Sequence, residues 1–317
     1  MKNVLITGGA GFIGRHLADY LTGRGDVAVT VIDNESLGDR KHLDLNKVRF
    51  IPGDLRNRDE LRSAVEGQDA VVHLAADTRV IESIADPAHN FESNVVGSFN
   101  LLELCRELGV DRVVAASTGG AILGDVEPPV HEQMAPKPTS PYGASKLMLE
   151  GYLSAFSSSY GMSTCALRFS NIYGPRSFHK GSVVAHFYKQ VLAGEKLVVY
   201  GDGSQTRDFL YAGDLVEGIW TALESEAQGA FQLGSGTPTT VNQLLEAMRT
   251  VTGLDLDVVY QDFRAGEVRD TWCQIDKARE SFGFAPVTGL EDGLRRTWDW
   301  FSAQKSDGAT SAARETQ

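Results

Sequence analysis

Residues 4–14 read Val4-Leu5-Ile6-Thr7-Gly8-Gly9-Ala10-Gly11-Phe12-Ile13-Gly14. A short apolar run meets a glycine turn and passes at once into an amphipathic helical run through His16, Leu17, Tyr20 and Leu21. Strand, glycine turn and helix, in that order, are what a dinucleotide pyrophosphate needs. Glycine allows the tight turn and the close approach of the backbone, and the helix N-terminus offers free N–H groups in a positive potential. Gly8, Gly11 and Gly14 are spaced G-x-x-G-x-x-G, so the triad alone is a weak signal. The strand before it and the helix after it give it weight. A second apolar run, Val27 to Ile32, ends in Asp33-Asn34 about twenty residues beyond the glycines. A carboxylate there hydrogen-bonds the adenine-ribose hydroxyls and repels a 2′-phosphate, which favours NAD over NADP.

Working outward, strands are expected at 3–7, 27–32, 48–51, 70–74, 112–116 and 163–168, and helices at 12–23, 58–65, 87–109 and 142–160. Alternating strands and helices predict an α/β fold, a Rossmann-type doubly wound parallel sheet covered on both faces. Ala70-Val71-Val72-His73-Leu74 is almost continuously apolar, as a central parallel strand should be. After residue 171 Gly- and Pro-rich loops and shorter elements appear, with helices near 183–193 and 241–252. The expected division is a dinucleotide-binding domain at 1–171, with a return segment at about 208–235. A smaller substrate lobe spans 172–302, and a disordered tail 303–317.

The 317 residues carry a net charge of −12, which argues against nonspecific nucleic-acid binding and against an anionic membrane surface. Cys105, Cys165 and Cys273 are odd in number and far apart, which suggests a reducing compartment. No apolar run is long enough to span a bilayer, and a strand this near residue 1 leaves no room for a leader, so a cytoplasmic protein is expected. His131, His179 and His186 lack ligand-like spacing, so no metal is expected. His73 is read as structural.

The chemistry concentrates in Tyr142-Gly143-Ala144-Ser145-Lys146. On a helix the phenol and the ammonium share one face. The ammonium should lower the phenol pKa, so that the tyrosinate can take a proton from a substrate hydroxyl. Tyr-x-x-x-Lys alone is weak. Behind the N-terminal turn, and after a strand ending in Ser117-Thr118, it is specific.

With those motifs the chain resembles the extended short-chain dehydrogenases/reductases, in their NAD-dependent epimerase/dehydratase branch. The resemblance covers residues 1 to about 301. It also rests on Gly53-Asp54-Leu55, His73-Leu74-Ala75-Ala76, Asn94 and Asn171-Ile172-Tyr173-Gly174-Pro175. It implies that NAD is held by Gly8, Gly11, Phe12, Ile13, Gly14, Asp33 and Asn34. Asp54 and Leu55 would bracket the adenine, and Leu74, Ala75, Ala76 and Asn94 would lie beside the nicotinamide half. Lys146 would hold the nicotinamide ribose while tuning Tyr142. For a nucleoside-diphosphate sugar it implies Asn171, Ser182, Val183, a stacking Tyr200, and the diphosphate arginines Arg207 and Arg264. Thr271 falls where the family gates the C2 substituent, and its small side chain should admit plain and N-acetylated hexoses alike. Apolar helices at 95–108 and 144–156 would form a homodimer interface.

The departures matter. Where the branch usually shows V-Y-G, this chain has Ile122-Leu123-Gly124, and aligning on that glycine puts Gly119 in place of the catalytic Ser or Thr. Thr118 is the candidate replacement, with Ser117 beside it. Gly119-Gly120 also stand where 4,6-dehydratases carry an Asp-Glu pair, and the glutamate of the decarboxylating relatives is missing. The expected activity is therefore NAD-dependent 4-epimerisation of a nucleoside-diphosphate hexose of the UDP-glucose/UDP-galactose type, through a transient 4-keto intermediate. The alternatives are a dehydratase, decarboxylase or reductase of the same branch, or a non-catalytic NAD-binding regulator.

Overall fold

The computed structural model describes residues 1–263 and 268–314. Strands β1 (Asn3–Thr7), β2 (Ala28–Asp33), β3 (Val48–Pro52), β4 (Ala70–His73), β5 (Arg112–Thr118) and β6 (Ser163–Phe169) lie parallel in one sheet. The second half of the chain adds β7 (Asn171–Tyr173), β8 (Leu197–Tyr200), β9 (Thr206–Arg207), β10 (Phe209–Tyr211), β11 (Gly229–Leu233), β12 (Thr239–Thr240) and β13 (Val258–Gln261). Of these, β11 returns to the large sheet and pairs parallel with β6, so the strand order is β11-β6-β5-β4-β1-β2-β3. The order reverses between β1 and β4, and in open parallel sheets ligands bind at that switch, beyond the carboxyl ends of the strands.

The near-continuous apolar strands are explained by cover on both faces. One face packs under α1 (Phe12–Arg24) and α9 (Ala212–Glu224), through Leu17, Leu21, Leu215 and Ile219. The other packs under α2 (Arg58–Val65), α5 (Gly97–Leu108) and α7 (Pro141–Tyr160), through Leu61, Leu101, Leu104, Leu149 and Phe156. A separate core of Tyr173, Tyr188, Leu244, Met248, Leu294 and Phe301 holds the smaller lobe around α8 (Val183–Ala193), α10 (Val241–Thr252) and α12 (Leu290–Arg314). Among the described residues no helix is long and apolar enough to cross a membrane.

Three elements differ from the expected boundaries. Strand β5 continues past residue 116, because Ser117 and Thr118 still pair with Arg168 and Phe169. This extension carries both hydroxyls to the carboxyl edge of the sheet, and strand alternation sends them to opposite faces. The helix expected at 87–109 is three pieces: α4 (Pro87–Phe91), a π-helical turn (Glu92–Val96) and α5. Such turns widen a helix locally and are frequent at functional sites. Here the turn carries Asn94, whose side chain bridges two other elements. Finally, residues 303–314, expected to be disordered, continue α12 as far as Arg314. The stretch contains no proline, and its Ala, Gln and Lys residues are good helix formers.

Candidate active site

Strand β1 delivers its glycine turn against the end of β4. A β-carbon on Gly8, whose φ is +71°, would lie 2.7 Å from the backbone of Ala75, and one on Gly14 would lie 2.4 Å from the Gly8 carbonyl oxygen. Only glycine lets the turn and the first turn of α1 close this tightly. No side chain caps α1 at Gly11, so the first-turn N–H groups of Phe12 and Ile13 are available to an anion. This bare cradle, with a carboxylate at the end of β2, fits a dinucleotide pyrophosphate and adenosine.

Asp33 ends β2 beside the glycine turn. Its Oδ2 accepts from Ala10 N at 3.0 Å and its Oδ1 from Glu35 N at 2.7 Å. Burial pushes its pKa up, against the pull of those two bonds. Asp33 thus holds the turn through both carboxylate oxygens. Asn34 Nδ2 donates to Asp54 Oδ2 at 2.8 Å, and the Arg56 guanidinium grips Asp54 at 2.9 and 2.7 Å, which holds that carboxyl well below the usual carboxylate range. Replacing Asp33 by Ala should raise NADP affinity relative to NAD, read as the ratio of dissociation constants by fluorescence titration. Equal NAD and NADP affinity in the native protein would refute the assignment.

Beyond β4, Leu74 N donates to Thr7 O at 3.1 Å and Ala75 N to Thr7 Oγ1 at 3.3 Å. His73 lies between Thr7 Oγ1 (2.7 Å) and Ser98 Oγ (2.8 Å), and burial pushes its pKa down to about 3. It is a neutral structural link. Asn94 accepts from Asp77 N at 2.7 Å and donates to Asp77 O and Ser145 Oγ at 3.0 and 3.2 Å. The π-helical turn therefore ties the loop after β4 to α7.

Helix α7 starts at Pro141 behind Ser140, whose hydroxyl accepts from Gly143 N at 3.1 Å. A β-carbon on Gly143 would lie 2.1 Å from Ala121 O, so this glycine brings the first turn of α7 against the short helix α6 (Gly119–Leu123). Tyr142 is thereby held in the first turn of α7, against the short helix that follows directly on β5. Lys146, one turn on, is buried and donates to Ala116 O at 3.0 Å. Burial pushes Lys146 down to about 8, with the Glu150 charge opposing it. The phenol moves the other way from the sequence expectation. Burial raises Tyr142 to about 12, because desolvation outweighs an ammonium that is turned onto a backbone carbonyl.

The two strand-end hydroxyls have separate surroundings. Ser117 is buried and donates to Glu150 Oε1 at 2.6 Å. Glu150 in turn receives Arg168 Nε and Nη2 at 2.9 and 2.8 Å. Thr118 faces a cavity of about 190 Å³ whose walls include Gly119, Asn171, Asp208, Gln232 and Thr271. The structure therefore brings Thr118, Asn171 and Thr271 together and turns Ser117 away from them. Glu150, Arg168 and Gln232 carried no motif in the sequence, although Glu150 does stand one helical turn beyond Lys146.

In the smaller lobe, Ser182 precedes α8, Val183 begins it and Tyr200 ends β8. None of the three lies in the wall of this cavity. Arg207 donates to the carbonyls of Thr206, Arg269 and Val268 at 2.8, 2.7 and 3.0 Å, so its guanidinium also clasps the segment leading to Thr271. Arg264 lies outside the described residues. Among the described residues no three His, Cys, Asp or Glu side chains cluster as metal ligands would.

A family model described as the NAD dependent epimerase/dehydratase family matches residues 4–234. The chain belongs to that family. It is an NAD-dependent epimerase, and NAD is its cofactor. It is similar to the UDP-glucose 4-epimerase of Thermotoga maritima, solved with UDP-glucose. The two are 37% identical, the match covers 95% of this chain and 99% of that one, and the TM-score is 0.91. A UDP-N-acetylglucosamine 4-epimerase from Methanobrevibacter ruminantium, solved with UDP-N-acetylmuramic acid, is 35% identical over 96% of this chain and 99% of its own, with a TM-score of 0.91. A UDP-glucose 4-epimerase from Thermus thermophilus, solved with NAD, is 38% identical over 95% and 99%, with a TM-score of 0.87.

Proposed function

We propose that this epimerase inverts C4 of a UDP-hexose of the glucose/galactose type through a transient 4-keto sugar. The observation that carries the reading is the seat of Lys146 against the end of β5: its ammonium, one helical turn after Tyr142 on α7, donates to Ala116 O at 3.0 Å, two residues before Thr118 ends the strand. The similarity to UDP-sugar 4-epimerases supports the substrate class.

In this mechanism Tyr142 takes the proton of the 4-hydroxyl and later returns it. Thr118 relays a hydrogen bond between sugar and phenol. Lys146, an ammonium below about 8, lies one turn below the phenol and favours its ionised form. When bound, NAD supplies the hydride acceptor and, as a cation, a further pull on the phenol's proton. Asn171 and Thr271 line the sugar cavity while the diphosphate is anchored from the smaller lobe, with Ser182, Val183, Tyr200, Arg207 and Arg264 as candidate contacts. Fixing the diphosphate lets the keto sugar present either face to the same site, which is what inversion demands.

The test is incubation of the protein with UDP-glucose, UDP-galactose, UDP-N-acetylglucosamine and UDP-glucuronate, read by NMR for inversion at C4. Turnover of none of them would refute the reading. Within it, Thr118→Val should lower kcat about tenfold or more. Ser117→Ala, which removes only a donor to Glu150, should cost about 1 kcal/mol of stability and leave kcat within a few-fold. Equal, full activity in both variants would remove Thr118 from the relay.

A homodimer belongs to the same proposal. On α7, Met148, Tyr152 and Tyr160 are exposed, and Phe99 of α5 meets Tyr152 at 5.3 Å between ring centroids. These side chains are the candidate contacts of the two helices.

A further inference from the structure

Two hydrogen-bonding atoms beside the cavity at the end of β5 are buried with no partner among the described residues, Gln232 Nε2 and Ser170 Oγ. Gln232 is only 1% exposed. An unpaired buried amide costs on the order of 1–3 kcal/mol, so its place in a cavity wall asks for a ligand group. The backbone holds it firmly. Gln232 sits opposite Arg168 in the β11–β6 ladder, and its N–H donates to Glu132 Oε1 at 2.7 Å. Ser170 N donates to Leu233 O at 2.9 Å, one residue past Gln232, so both unpaired groups belong to the β6–β11 end of the sheet.

The neighbouring carboxylate in the wall is already engaged. Asp208 accepts from Ser235 N and Oγ at 2.6 and 2.9 Å, from Gly236 N at 3.2 Å, and from Cys273 N and Sγ at 3.3 Å each. The carboxamide also explains the departure at residue 119. A β-carbon on Gly119 would lie 2.7 Å from Gln232 Oε1. A serine or threonine side chain at 119 would have to displace the end of the Gln232 carboxamide.

We propose that Gln232 is a substrate-binding residue of the 4-epimerase reaction, its carboxamide hydrogen-bonding a hydroxyl of the hexose in place of the side chain that Gly119 lacks. The proposal rests on the 4-epimerase reading, and the experiment separates the two. Gln232→Met keeps the length of the side chain and removes its hydrogen bonding. In calorimetry on the NAD-loaded protein it should weaken UDP-glucose binding about tenfold, the scale of one neutral hydrogen bond, and leave UDP affinity unchanged, while Tm, relieved of the unpaired amide, should not fall. Unchanged UDP-glucose affinity, or an equal loss for UDP, would overturn the proposal. Should Gln232→Met not fold, Gln232→Asn, which withdraws the amide by one methylene, must show the same selective loss.

The reciprocal variants test the exchange of roles. Gly119→Ser alone should be impaired by the clash with the carboxamide. Gly119→Ser/Gln232→Ala should turn over faster than Gln232→Ala, and a double variant no better than Gln232→Ala counts against the exchange. If the native protein inverts no UDP-hexose, the 4-epimerase reading fails while the calorimetric comparison still decides Gln232. A native protein that binds no UDP-glucose refutes both.

Discussion

Tyr142→Phe is expected to lower kcat by about a hundredfold or more, the scale of a lost general base, while the NAD dissociation constant and Tm stay within error. The geometry makes the prediction clean. The backbone N–H of Tyr142 donates to Ser83 Oγ at 3.2 Å, a contact that phenylalanine keeps. Burial alone holds the phenol at about 12, so at neutral pH it is protonated until positive charge at the site draws the proton off. Lys146 supplies such charge below about 8. The native pH–rate profile should therefore rise as the phenol ionises under that influence, and the rise should be missing from Tyr142→Phe. Turnover near the native level would take the phenol out of the mechanism.

The local motifs were legible in the sequence because each is a short segment doing one physical task. An apolar run such as Val4-Leu5-Ile6, a glycine turn and an amphipathic helix in that order read together as a covered strand leading into a phosphate-binding turn. The helix break at 92–96 was not legible, because the apolar spacing through Val95, Leu101 and Leu104 runs on past it. What widens the turn there is the set of bonds from Asn94 to Asp77 and Ser145, which come from distant segments. The phenol pKa was misjudged for a related reason. Tyr-x-x-x-Lys spacing displays the charge but hides the desolvation that governs it here. Gln232 was invisible because nothing near it in the chain marks it. Only the pairing of β11 with β6 brings it beside Gly119.

Glu150→Leu is expected to destabilise the fold by about 3–5 kcal/mol, the cost of leaving a buried charge without its partner. The Arg168 side chain is 4% exposed and that of Glu150 11%, and both carboxylate oxygens receive the guanidinium. Removing the carboxylate strands Arg168 and also deprives Ser117 of its acceptor. Replacing both partners, as Glu150→Leu/Arg168→Met, should recover most of the loss, because two apolar side chains remove the uncompensated charge. Urea unfolding of the two single variants and the double closes the cycle, and simple additivity would show that the pair is not coupled. The milder Glu150→Gln separates catalysis from stability. Glu150 is the charge that holds Lys146 up against burial. Without it the ammonium should lose its proton at a lower pH, so the alkaline fall in kcat should move to lower pH than in the native protein. An alkaline limb that stays in place would mean that Glu150 supports the end of β5 and has no part in setting the charge on Lys146.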